Sequence, residues 1–396
     1  MSHSQSIHRV EISRSALESN VRVFRELAPD SLFMAVVKSN AYGHDLDRVV
    51  EALSGKVDWF GVNSMPEARR LRRLDARTPV LVMGINAHEL MSDVAAPPEG
   101  VAVVVSSPDM LEWIEARAPT TAFHLKVDTG LSRLGAKGAD LDACLDFLAA
   151  RPALNWTGLM THFANVEDVT DQSYALEQLG RFQTVIQRAR AAAGERRLVV
   201  HAAASAPALI LPAARLDLIR VGISLYGLWP SNETRLSALS RLDRLPELKP
   251  ALRWLTRVVH VHGVPAGAKV GYGCTYQTPA DTRVATLPVG YYEGYERGLS
   301  NRSHVLIRGR RARVLGRVSM NMIVVDVGHI PGASPGDEAV LLGRAKSGVA
   351  PDDQKGEAAS EGIEEVSAED LAELTGTINY EVVTRIAAHL PRVLLD

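Results

Sequence analysis

Short apolar runs alternate with helical patterns over residues 1–240 of the chain. The apolar runs predict buried strands, and the amphipathic segments between them predict helices. The predicted strands are 33–37, 58–62, 79–84, 101–106, 122–127, 156–161, 197–201 and 217–221, and the clearest helices are 64–75, 107–117 and 171–193. Eight such strand–helix units predict a (β/α)8 TIM-type barrel. A doubly wound sheet is disfavoured because no glycine-rich phosphate turn follows the first strand.

The pattern changes near residue 241. Short β-type runs separated by glycine and proline predict a mainly β domain over 241–396. The runs are VVHVH, ATLPV, HVLIRG, RARVLGRV, NMIVVDVG and DEAVLLG. Residues 345–362 are polar and lack periodicity, which predicts an exposed, mobile loop. We expect one helix near Ser367 and another after Tyr380, and the extreme N-terminal strand is a candidate to pack with this domain.

Composition narrows the classes of function. The chain has 396 residues, 46% of them hydrophobic, which is enough for one large domain and a smaller one. Lys+Arg and Asp+Glu total 44 and 46, so no polybasic surface for nucleic acid or anionic lipid is predicted. Two cysteines suit a reducing compartment, and no apolar signal segment or membrane-length run is present. We expect a cytoplasmic protein that binds neither nucleic acid nor membrane.

Polar residues stand at the carboxyl ends of several predicted barrel strands. In barrels of this type the chemistry is located at that end, so these side chains are predicted to converge on one face. They are Lys38 after the first strand, Lys126 and Asp128 at the fifth, His162 at the sixth, His201 at the seventh and Arg220 at the eighth.

A lysine and a phosphate-binding pattern at the predicted barrel mouth together predict pyridoxal phosphate. Lys38 follows the apolar run 32–37, and an amine held at the mouth of an apolar core loses hydration, which lowers its pKa. Such an amine can form a Schiff base with an aldehyde cofactor. Ser205 opens a helix after the seventh strand and Gly222 follows the eighth strand, where barrels commonly bind phosphate through free backbone N–H groups.

Eight segments of the chain resemble motifs of the bacterial alanine racemases. They are VVKSNAYGH (36–44), KVDTGLSRLG (126–135), THFAN (161–165), IRVGISLYG (219–227), VGYGCTY (270–276), LPVGYYEG (287–294), GRVSMN (316–321) and INYEV (378–382). They occur in the family's order and cover nearly the whole chain. The resemblance implies a pyridoxal-phosphate barrel followed by a β domain, in a homodimer whose active sites are each completed by the partner's second domain. It implies interconversion of L- and D-alanine, with D-alanine supplied for peptidoglycan.

The resemblance also implies roles for single residues. Lys38 matches the lysine that forms the Schiff base and acts as a base on one face of the substrate. Tyr272 matches the tyrosine that the partner chain supplies to the other face. Arg220 matches the arginine that faces the pyridine nitrogen, where its permanent positive charge disfavours ring protonation. The matches to cofactor-binding residues are Lys38, Tyr42, His162, His201, Ser205, Arg220, Gly222, Ile223 and Tyr380.

Other matches concern the substrate. Arg133 matches an arginine near the substrate carboxylate, and Met320 matches a residue whose backbone lies near the same group. Lys126 matches a lysine that is often carbamylated in relatives, where the acquired negative charge orients Arg133. The residues predicted to narrow the passage through which substrate enters are Tyr291, Arg297 and Arg317.

Two positions depart from the family's pattern. Asn321 stands where many relatives have aspartate, and Ala204 stands where they often have asparagine. Neither position carries the Schiff-base or proton-transfer chemistry, but Asn321 removes a charge near the substrate carboxylate. Alanine is the predicted substrate, and serine or another small amino acid is the alternative. The sequence leaves open whether Lys126 is carbamylated and whether alanine use is biosynthetic or catabolic.

Three other interpretations are weaker. Fold-related decarboxylases of basic amino acids place a carboxylate at the pyridine nitrogen, where this chain has Arg220. Small proteins that bind pyridoxal phosphate without turnover lack the β domain and its tyrosine. His260 and His262 have a spacing that can bind metal, but no third ligand has a compatible position, so no metal site is predicted.

Overall fold

The computed structural model describes residues 6–84, 96–167, 171–346 and 363–396. The chain divides into two compact units. The barrel unit consists of Ser15–Tyr42 and Val49–Lys249, and the β unit consists of Met1–Arg14, Gly43–Arg48 and Pro250–Asp396.

The barrel unit extends to Lys249, beyond the boundary at 240 that the change of sequence pattern suggested. A side chain in the first helix accounts for this. Asn20 is buried, accepts a hydrogen bond from the Lys249 N–H at 2.8 Å and donates to the Lys249 carbonyl at 2.9 Å. The same amide donates to the Leu225 carbonyl at 3.0 Å. The segment up to residue 249 is therefore held in the barrel unit.

The barrel unit contains eight parallel strands, which confirms the predicted fold. After β1 (Arg9–Ser13), which belongs to the β unit, they are β2 (Leu32–Val36), β3 (Trp59–Val62), β4 (Val80–Val82), β5 (Val101–Val105), β6 (Phe123–Lys126), β7 (Trp156–Met160), β8 (Val199–His201) and β9 (Leu218–Val221). They lie in the order β8-β7-β6-β5-β4-β3-β2-β9. Backbone hydrogen bonds of 3.0 Å, from Asp217 to Val200 and from Arg220 to Ala203, bridge the remaining seam, so the barrel is nearly closed.

Helices connect the barrel strands. They are α1 (Arg14–Leu27), α2 (Leu46–Leu53), α3 (Met65–Leu74), α4 (Pro108–Arg117), α5 (Ala139–Ala149), α6 (Ser173–Ala193), α7 (Ser205–Ile210) and α8 (Asn232–Arg241). The predicted helices 64–75, 107–117 and 171–193 correspond to α3, α4 and α6. The first two begin after a serine in extended conformation with proline in the first turn, a common helix start.

Apolar side chains from several strands fill the barrel. Met34 and Val36 of β2 pack in one buried cluster with residues of four other strands, namely Leu81, Ala102, Val104, Met160 and Leu218. Side chains of β-branched and long aliphatic residues fill barrels of this type, so the interior is a packed core and the chemistry is left to the strand ends.

The β unit is built on a large, mainly antiparallel sheet. Its further strands are β10 (Leu252–Arg257), β11 (His260–Val264), β12 (Lys269–Val270), β13 (Tyr276–Gln277), β14 (Thr282–Leu287), β15 (His304–Ile307), β16 (Arg310–Leu315), β17 (Ile323–Asp326), β18 (Glu338–Lys346), β19 (Ile363–Val366) and β20 (Arg392–Leu395). The main path is β11-β14-β17-β16-β15-β18-β10-β1-β20. The N-terminal β1 pairs antiparallel with β10 and parallel with β20.

Two details of these strands differ from the sequence-based expectation. Strand β10 was not predicted, because its two arginines interrupt the apolar run LRWLTR. The predicted loop 345–362 starts too early, since β18 continues to Lys346, and the rest of that loop lies outside the described residues.

The C-terminal helices are α9 (Ala368–Thr375) and α10 (Asn379–Arg385). Ser367 caps the first of them in a capping box with Asp370. The second begins at Asn379, so the expected start after Tyr380 was wrong. Among the described residues, every helix is too short or too polar to span a bilayer.

Candidate active site

The carboxyl ends of the barrel strands bring together the polar residues that the sequence placed there. Lys126 and His201 are the last residues of β6 and β8, and Arg220 lies in β9. Lys38 and His162 stand two residues beyond the ends of β2 and β7. All five side chains therefore lie at the same mouth of the barrel.

Lys38 is followed by a left-handed turn. Ser39, Asn40, Ala41 and Tyr42 have φ values of 56°, 53°, 54° and 53°. None of these residues is glycine, so the sequence carries no local signal for the hand of this turn. The turn brings Nζ of Lys38 to 6.0 Å from the centre of the Tyr42 ring, so the amine and the phenol share one side of the turn.

Glu67 of α3 fixes the start of this turn. One of its carboxylate oxygens accepts from the Ser39 N–H at 2.6 Å and the other from the Asn63 N–H at 2.8 Å. The pKa of Lys38 is lowered, first by burial and then by the positive charge of Arg133, while Glu67 opposes the shift. The neutral, nucleophilic form of the amine is therefore more accessible than in an ordinary solvent-exposed lysine.

Arg220 is a buried cation, 3% exposed, held by neutral partners. Its Nη2 donates to the carbonyls of Thr161 and Ala202, both at 2.9 Å, and to Nδ1 of His162 at 3.2 Å. Its Nη1 donates to Nδ1 of His201 at 2.8 Å. Burial lowers the pKa of Arg220 to about 10, so the guanidinium stays charged at neutral pH. Its Nε–H has no acceptor among the described residues and remains available to a ligand.

A second histidine lies behind His201. Because Nδ1 of His201 accepts from Arg220, a neutral His201 carries its proton on Nε2, which lies 2.8 Å from Nδ1 of His124. His124 then carries its own proton on Nε2, which is buried without a partner among the described residues. Burial, followed by the charge of Arg220, lowers the pKa of His124 to about 3 and that of His201 well below its usual value. Both rings are neutral at neutral pH.

His124 is a site residue that the sequence analysis missed. The signal was in β6, where His124 and Lys126 are the polar residues at alternate positions of a fully buried strand. Alternation places both on the same face, toward the barrel interior. Gly158 makes room for the ring, since a methyl group there would lie 2.6 Å from His124 Nδ1.

Lys126 lies among positive charges. It is buried, and its pKa is lowered to about 8, first by burial and then by Arg133, Arg220 and Lys38. His162 is affected in the same way, because burial and these cations lower its pKa to about 3. The barrel mouth is therefore a cationic cavity that favours an anionic ligand.

Arg133 lies in an ordered loop after β6. Asp128 Oδ1 accepts from the N–H groups of Gly130 at 2.9 Å and Ser132 at 3.1 Å. Burial acts to raise the pKa of Asp128, but these backbone donors lower it overall. Arg181 of α6 ties the loop down by donating to the Thr129 carbonyl at 2.9 Å. The exposed Arg133 guanidinium is thus presented on a fixed backbone.

The ends of β8 and β9 form a cradle that suits a phosphate. The Ser205 hydroxyl oxygen accepts from the Gly222 N–H at 3.0 Å, and a methyl group on Gly222 would lie 2.5 Å from the Tyr42 hydroxyl oxygen. The Ser224 hydroxyl is buried without a partner among the described residues. Ile223 opens the turn Ile223–Tyr226, so its N–H has no acceptor inside that turn. This set of hydroxyl and amide donors fits a phosphate group.

Tyr272 lies in the β unit, on a hairpin loop between β12 and β13. Its side chain is 74% exposed, and its hydroxyl makes no hydrogen bond with any described residue. Arg317 packs over the same loop, because a methyl group on Gly273 would lie 3.0 Å from Arg317 Nη1. The structure thus brings together Tyr272 and one of the residues predicted for the substrate passage.

Met320 and Tyr291 lie on two loops in backbone contact. The N–H of Tyr291 donates to the Ser319 carbonyl at 3.1 Å, and that of Tyr292 to the Met320 carbonyl at 3.0 Å. The side chains of Tyr291 and Met320 are exposed. The Met320 carbonyl is thus already bonded within the β unit.

Asn321, which departs from the family pattern, is held by a buried carboxylate. Its Nδ2 donates to Glu293 Oε1 at 2.7 Å, and the Gly290 N–H donates to Glu293 Oε2 at 2.8 Å. A carboxylate only accepts, so the amide oxygen of Asn321 faces away from Glu293. Asn321 therefore presents a neutral acceptor where an aspartate would present a charge.

The other candidate residues of the β unit lie in a turn, a helix and a strand. Arg297 opens the turn Arg297–Leu299, and Tyr380 lies in the first turn of α10. His260 and His262 stack on β11 with ring centres 4.8 Å apart. No group of three or more His, Cys, Asp or Glu within the described ranges could hold a metal ion.

Comparisons with known proteins agree with this arrangement. Residues 12–230 match the family model "Alanine racemase, N-terminal domain", and residues 251–394 match "Alanine racemase, C-terminal domain". An alanine racemase of Leptospira interrogans is 40% identical over 390 residues, covering 98% of this chain and 95% of that protein.

Solved structures show the same likeness. The alanine racemase of a D-cycloserine-producing Streptomyces lavendulae matches with a TM-score of 0.83 and 33% identity, covering 99% of this chain and 97% of that one. The enzyme of Bacillus anthracis with bound L-Ala-P matches with a TM-score of 0.82 and 31% identity, covering 98% of this chain and 95% of that one.

Proposed function

The chain belongs to the alanine racemase family, and on that premise we propose that it interconverts L- and D-alanine with pyridoxal 5'-phosphate as cofactor. The observation that carries the proposal is Lys38, an amine with a lowered pKa, at the same barrel mouth as the buried cation Arg220. No ion pair to Arg220 is formed within the described residues, which distinguishes the site from one that protonates the pyridine ring through a carboxylate.

The barrel mouth offers groups for each part of this cofactor. The phosphate would bind Ser205, Tyr42 and the backbone of Gly222 and Ile223, with Tyr380 as a further proposed ligand. Arg220 Nε–H would face the ring nitrogen, supported from behind by His162 and His201. When bound, the cofactor supplies an electron sink that stabilises the charge left at the substrate Cα.

Two bases on opposite faces would move the proton. The neutral Lys38 amine would take a proton from one face of the substrate Cα or return one to it, and the Tyr272 phenol would do the same on the other face. The lowered pKa of Lys38 supports the first role, because it makes the neutral amine accessible nearer to neutral pH. We propose that Arg133 binds the substrate carboxylate, which would orient Cα between the two bases.

We further propose a homodimer with shared active sites. The 74% exposure of Tyr272 supports this, since a catalytic phenol has to be shielded from water by something beyond its own β unit. Tyr291, Arg297, Arg317 and Met320 would then narrow the route to the site. We also propose a cytoplasmic enzyme whose D-alanine serves peptidoglycan synthesis, with the two free cysteines as support for the location.

The activity is tested by incubating the holoenzyme with a panel of L-amino acids and analysing the products on a chiral column. We expect D-alanine as the main product, with serine slower, and no activity in Lys38→Ala. Release of carbon dioxide from basic amino acids without racemisation would contradict the proposal.

Shared sites are tested with mixed dimers. An equimolar mixture of Lys38→Ala and Tyr272→Phe chains should recover roughly a quarter of the wild-type sites after subunit exchange. The matched control mixes wild-type chains with the Lys38→Ala/Tyr272→Phe double variant, whose heterodimers should contain no intact site. Full activity of one site in those heterodimers would contradict sharing.

A further inference from the structure

The loop that carries Tyr272 has little support of its own. It spans residues 271–275, between strands β12 and β13, in which Lys269 pairs with Gln277 and Val270 with Tyr276. Two further backbone hydrogen bonds continue this short hairpin, from Gly267 N–H to the Thr278 carbonyl at 2.8 Å and from Thr278 N–H to the Ala268 carbonyl at 2.9 Å. A two-stranded hairpin is by itself marginally stable in water, so its conformation depends on its packing against Val284 and Leu315 and on its other contacts in the β unit. Within the loop, the Cys274 N–H donates to the Gly271 carbonyl at 3.2 Å.

The phenol itself is not anchored within the part of the chain that the structure describes. Tyr272 forms no hydrogen bond there, so its position follows from the backbone of the loop. That backbone is unusual, since Gly271, Gly273 and Cys274 have φ values of 73°, 71° and 52°. A loop with three left-handed residues and a short ladder needs external contacts to adopt one conformation.

Asn301 supplies such contacts from the turn before β15. Its Nδ2 donates to the Thr275 hydroxyl at 3.2 Å and to the Thr275 carbonyl at 3.4 Å, at the end of the Tyr272 loop. Its Oδ1 accepts from the N–H of Gly316 at 2.6 Å. One side-chain amide therefore connects the Tyr272 loop to Gly316, a buried residue directly after β16.

Gly316 is a suitable anchor for this bridge. The hairpin packs directly against it, since a methyl group on Gly316 would lie 2.5 Å from the Val270 carbonyl oxygen. Asn301 is itself held, because Arg313 Nη2 donates to its carbonyl at 3.1 Å, and its φ of 60° is one that asparagine tolerates better than most residues. Arg313 also lies 6.0 Å from the ring centre of Tyr276 in β13.

We propose that Asn301 is a positioning residue for the proton transfer by Tyr272, acting through its bridge between Thr275 and Gly316. This inference rests on the proposed function of Tyr272 as one of two bases. The bridge fixes the height and direction of the phenol relative to the substrate Cα, and displacement of a reacting group by about 1 Å can lower a rate by roughly a hundredfold.

The main test variant is Asn301→Gly. Glycine accepts a φ of 60° without strain, so the change removes the side-chain bridge and leaves the backbone conformation accessible. A second variant, Asn301→Asp, keeps the acceptor for Gly316 but places a carboxylate against the Thr275 carbonyl oxygen. The matched control is Asn155→Gly, which removes an exposed amide that donates to the Thr120 carbonyl at 3.0 Å before β7.

Two rates are measured on each holoenzyme with each alanine enantiomer in deuterated water. One is inversion, which needs both bases, and the other is exchange of the Cα hydrogen without inversion, which needs one. We expect both Asn301 variants to lose inversion by roughly tenfold to a hundredfold. With the enantiomer whose Cα–H faces Lys38, exchange should stay within about twofold of wild type, because that side of the site is unchanged. With the other enantiomer, exchange passes through Tyr272 and should fall together with inversion. Asn155→Gly should change neither rate.

Other results overturn the inference in distinguishable ways. Normal inversion in Asn301→Gly, with inversion abolished in Tyr272→Phe, removes the positioning role and leaves the proposed function intact. A loss of inversion with an equal loss of the exchange through Lys38 indicates a merely structural role and also removes the positioning role. Normal inversion in Tyr272→Phe overturns the proposed two-base function, and the positioning role with it. If Asn301→Gly does not fold, the same comparison is made with Asn301→Asp.

Discussion

Arg220 donates from Nη1 to Nδ1 of His201 at 2.8 Å. This contact determines which ring nitrogen carries the proton in His201 and, through it, in His124. Because a guanidinium only donates, His201 must accept at Nδ1 and carry its proton on Nε2, toward His124. Arg220, the cation that would face the cofactor, is therefore stabilised by hydrogen bonds to neutral groups, and it forms no ion pair among the described residues.

Replacing His201 should cost stability. His201→Phe fills the space but leaves Arg220 Nη1 and His124 Nδ1 without their partner, so we expect a loss of about 3 kcal/mol in the free energy of unfolding. His201→Asn, whose side-chain oxygen can still accept from Arg220, should lose less. Urea unfolding of both variants measures the difference, and equal losses would contradict the acceptor role.

Acid should destabilise the barrel unit through its buried histidines. His124 and His162 have pKa values of about 3, below the ordinary value of 6.5, so between these values the unfolded chain binds protons that the folded chain does not. Stability should be insensitive to these groups above that range and fall with decreasing pH, by about 1.4 kcal/mol per pH unit for each histidine. Urea unfolding across the range measures the slope, and His124→Phe should make it shallower. An unchanged slope in that variant would contradict the assignment.

Lys126 is expected to form a carbamate. Its pKa of about 8 gives a substantial fraction of neutral amine in mildly alkaline solution, and the neutral amine is the form that reacts with carbon dioxide. We expect a carbamate signal in carbon NMR with isotope-labelled bicarbonate, weaker in mildly acidic solution. Lys126→Ala should lack the signal; its persistence would assign the carbamate elsewhere.

The lowered pKa of Lys126 also predicts that the free energy of unfolding rises with pH in alkaline solution. Between about 8 and the ordinary lysine value of 10.5 the unfolded chain binds the proton and the folded chain does not. The cost of burying Lys126 is therefore fully present below this window and disappears as the pH rises through it.

Gly222 is expected to be essential for the phosphate cradle. In Gly222→Ala the added methyl group would lie 2.5 Å from the Tyr42 hydroxyl oxygen and displace it. We expect pyridoxal phosphate to bind roughly tenfold more weakly, as measured by absorbance titration of the apoenzyme. Gly180→Ala in α6, where the methyl group meets open space, is the control and should leave binding unchanged.

The hydrogen bond between Glu293 and Asn321 needs one amide and one carboxylate. We expect the folded chain to tolerate these two groups in either order, but not a carboxylate at both positions. Asn321→Asp replaces the 2.7 Å hydrogen bond with two facing acceptors, and we expect a loss of about 1–3 kcal/mol in the free energy of unfolding. In Glu293→Gln/Asn321→Asp the glutamine can donate to residue 321 and still accept from Gly290, so most of the loss should be recovered. Additive losses in the double variant would contradict direct pairing.

The barrel could be predicted from sequence because its signals are local. Each strand is an apolar run, and residues such as Lys38 and Arg220 follow or end those runs, so their shared face follows from the architecture alone. Contacts between distant segments carried no such signal. Glu67 accepts from the N–H at the start of the turn after Lys38, and Asn20 binds the backbone of Lys249, and both contacts join segments that are far apart in sequence.

The functional residues likewise divide into those with a local signal in the sequence and those without one. His124 was detectable from the alternation of β6 but lies two residues before Lys126, the strand end that the sequence analysis singled out. Asn301 has no local pattern, because its bridge exists only once Thr275 and Gly316 have been brought together by the sheet.

The winding of the chain after β2 has a consequence for how the enzyme matures. Four successive L-residues, Ser39–Tyr42, adopt the left-handed conformation, which costs about 1–2 kcal/mol for each residue. We therefore expect this turn to be unstable until the structure around it has formed. The start of the turn is held by Glu67, which belongs to α3 and follows only after α2 and β3 along the chain. During refolding we therefore expect the barrel strands to form before Lys38 can react with the aldehyde of pyridoxal phosphate. Recovery of cofactor binding should then follow the recovery of strand structure and mark the final step of refolding.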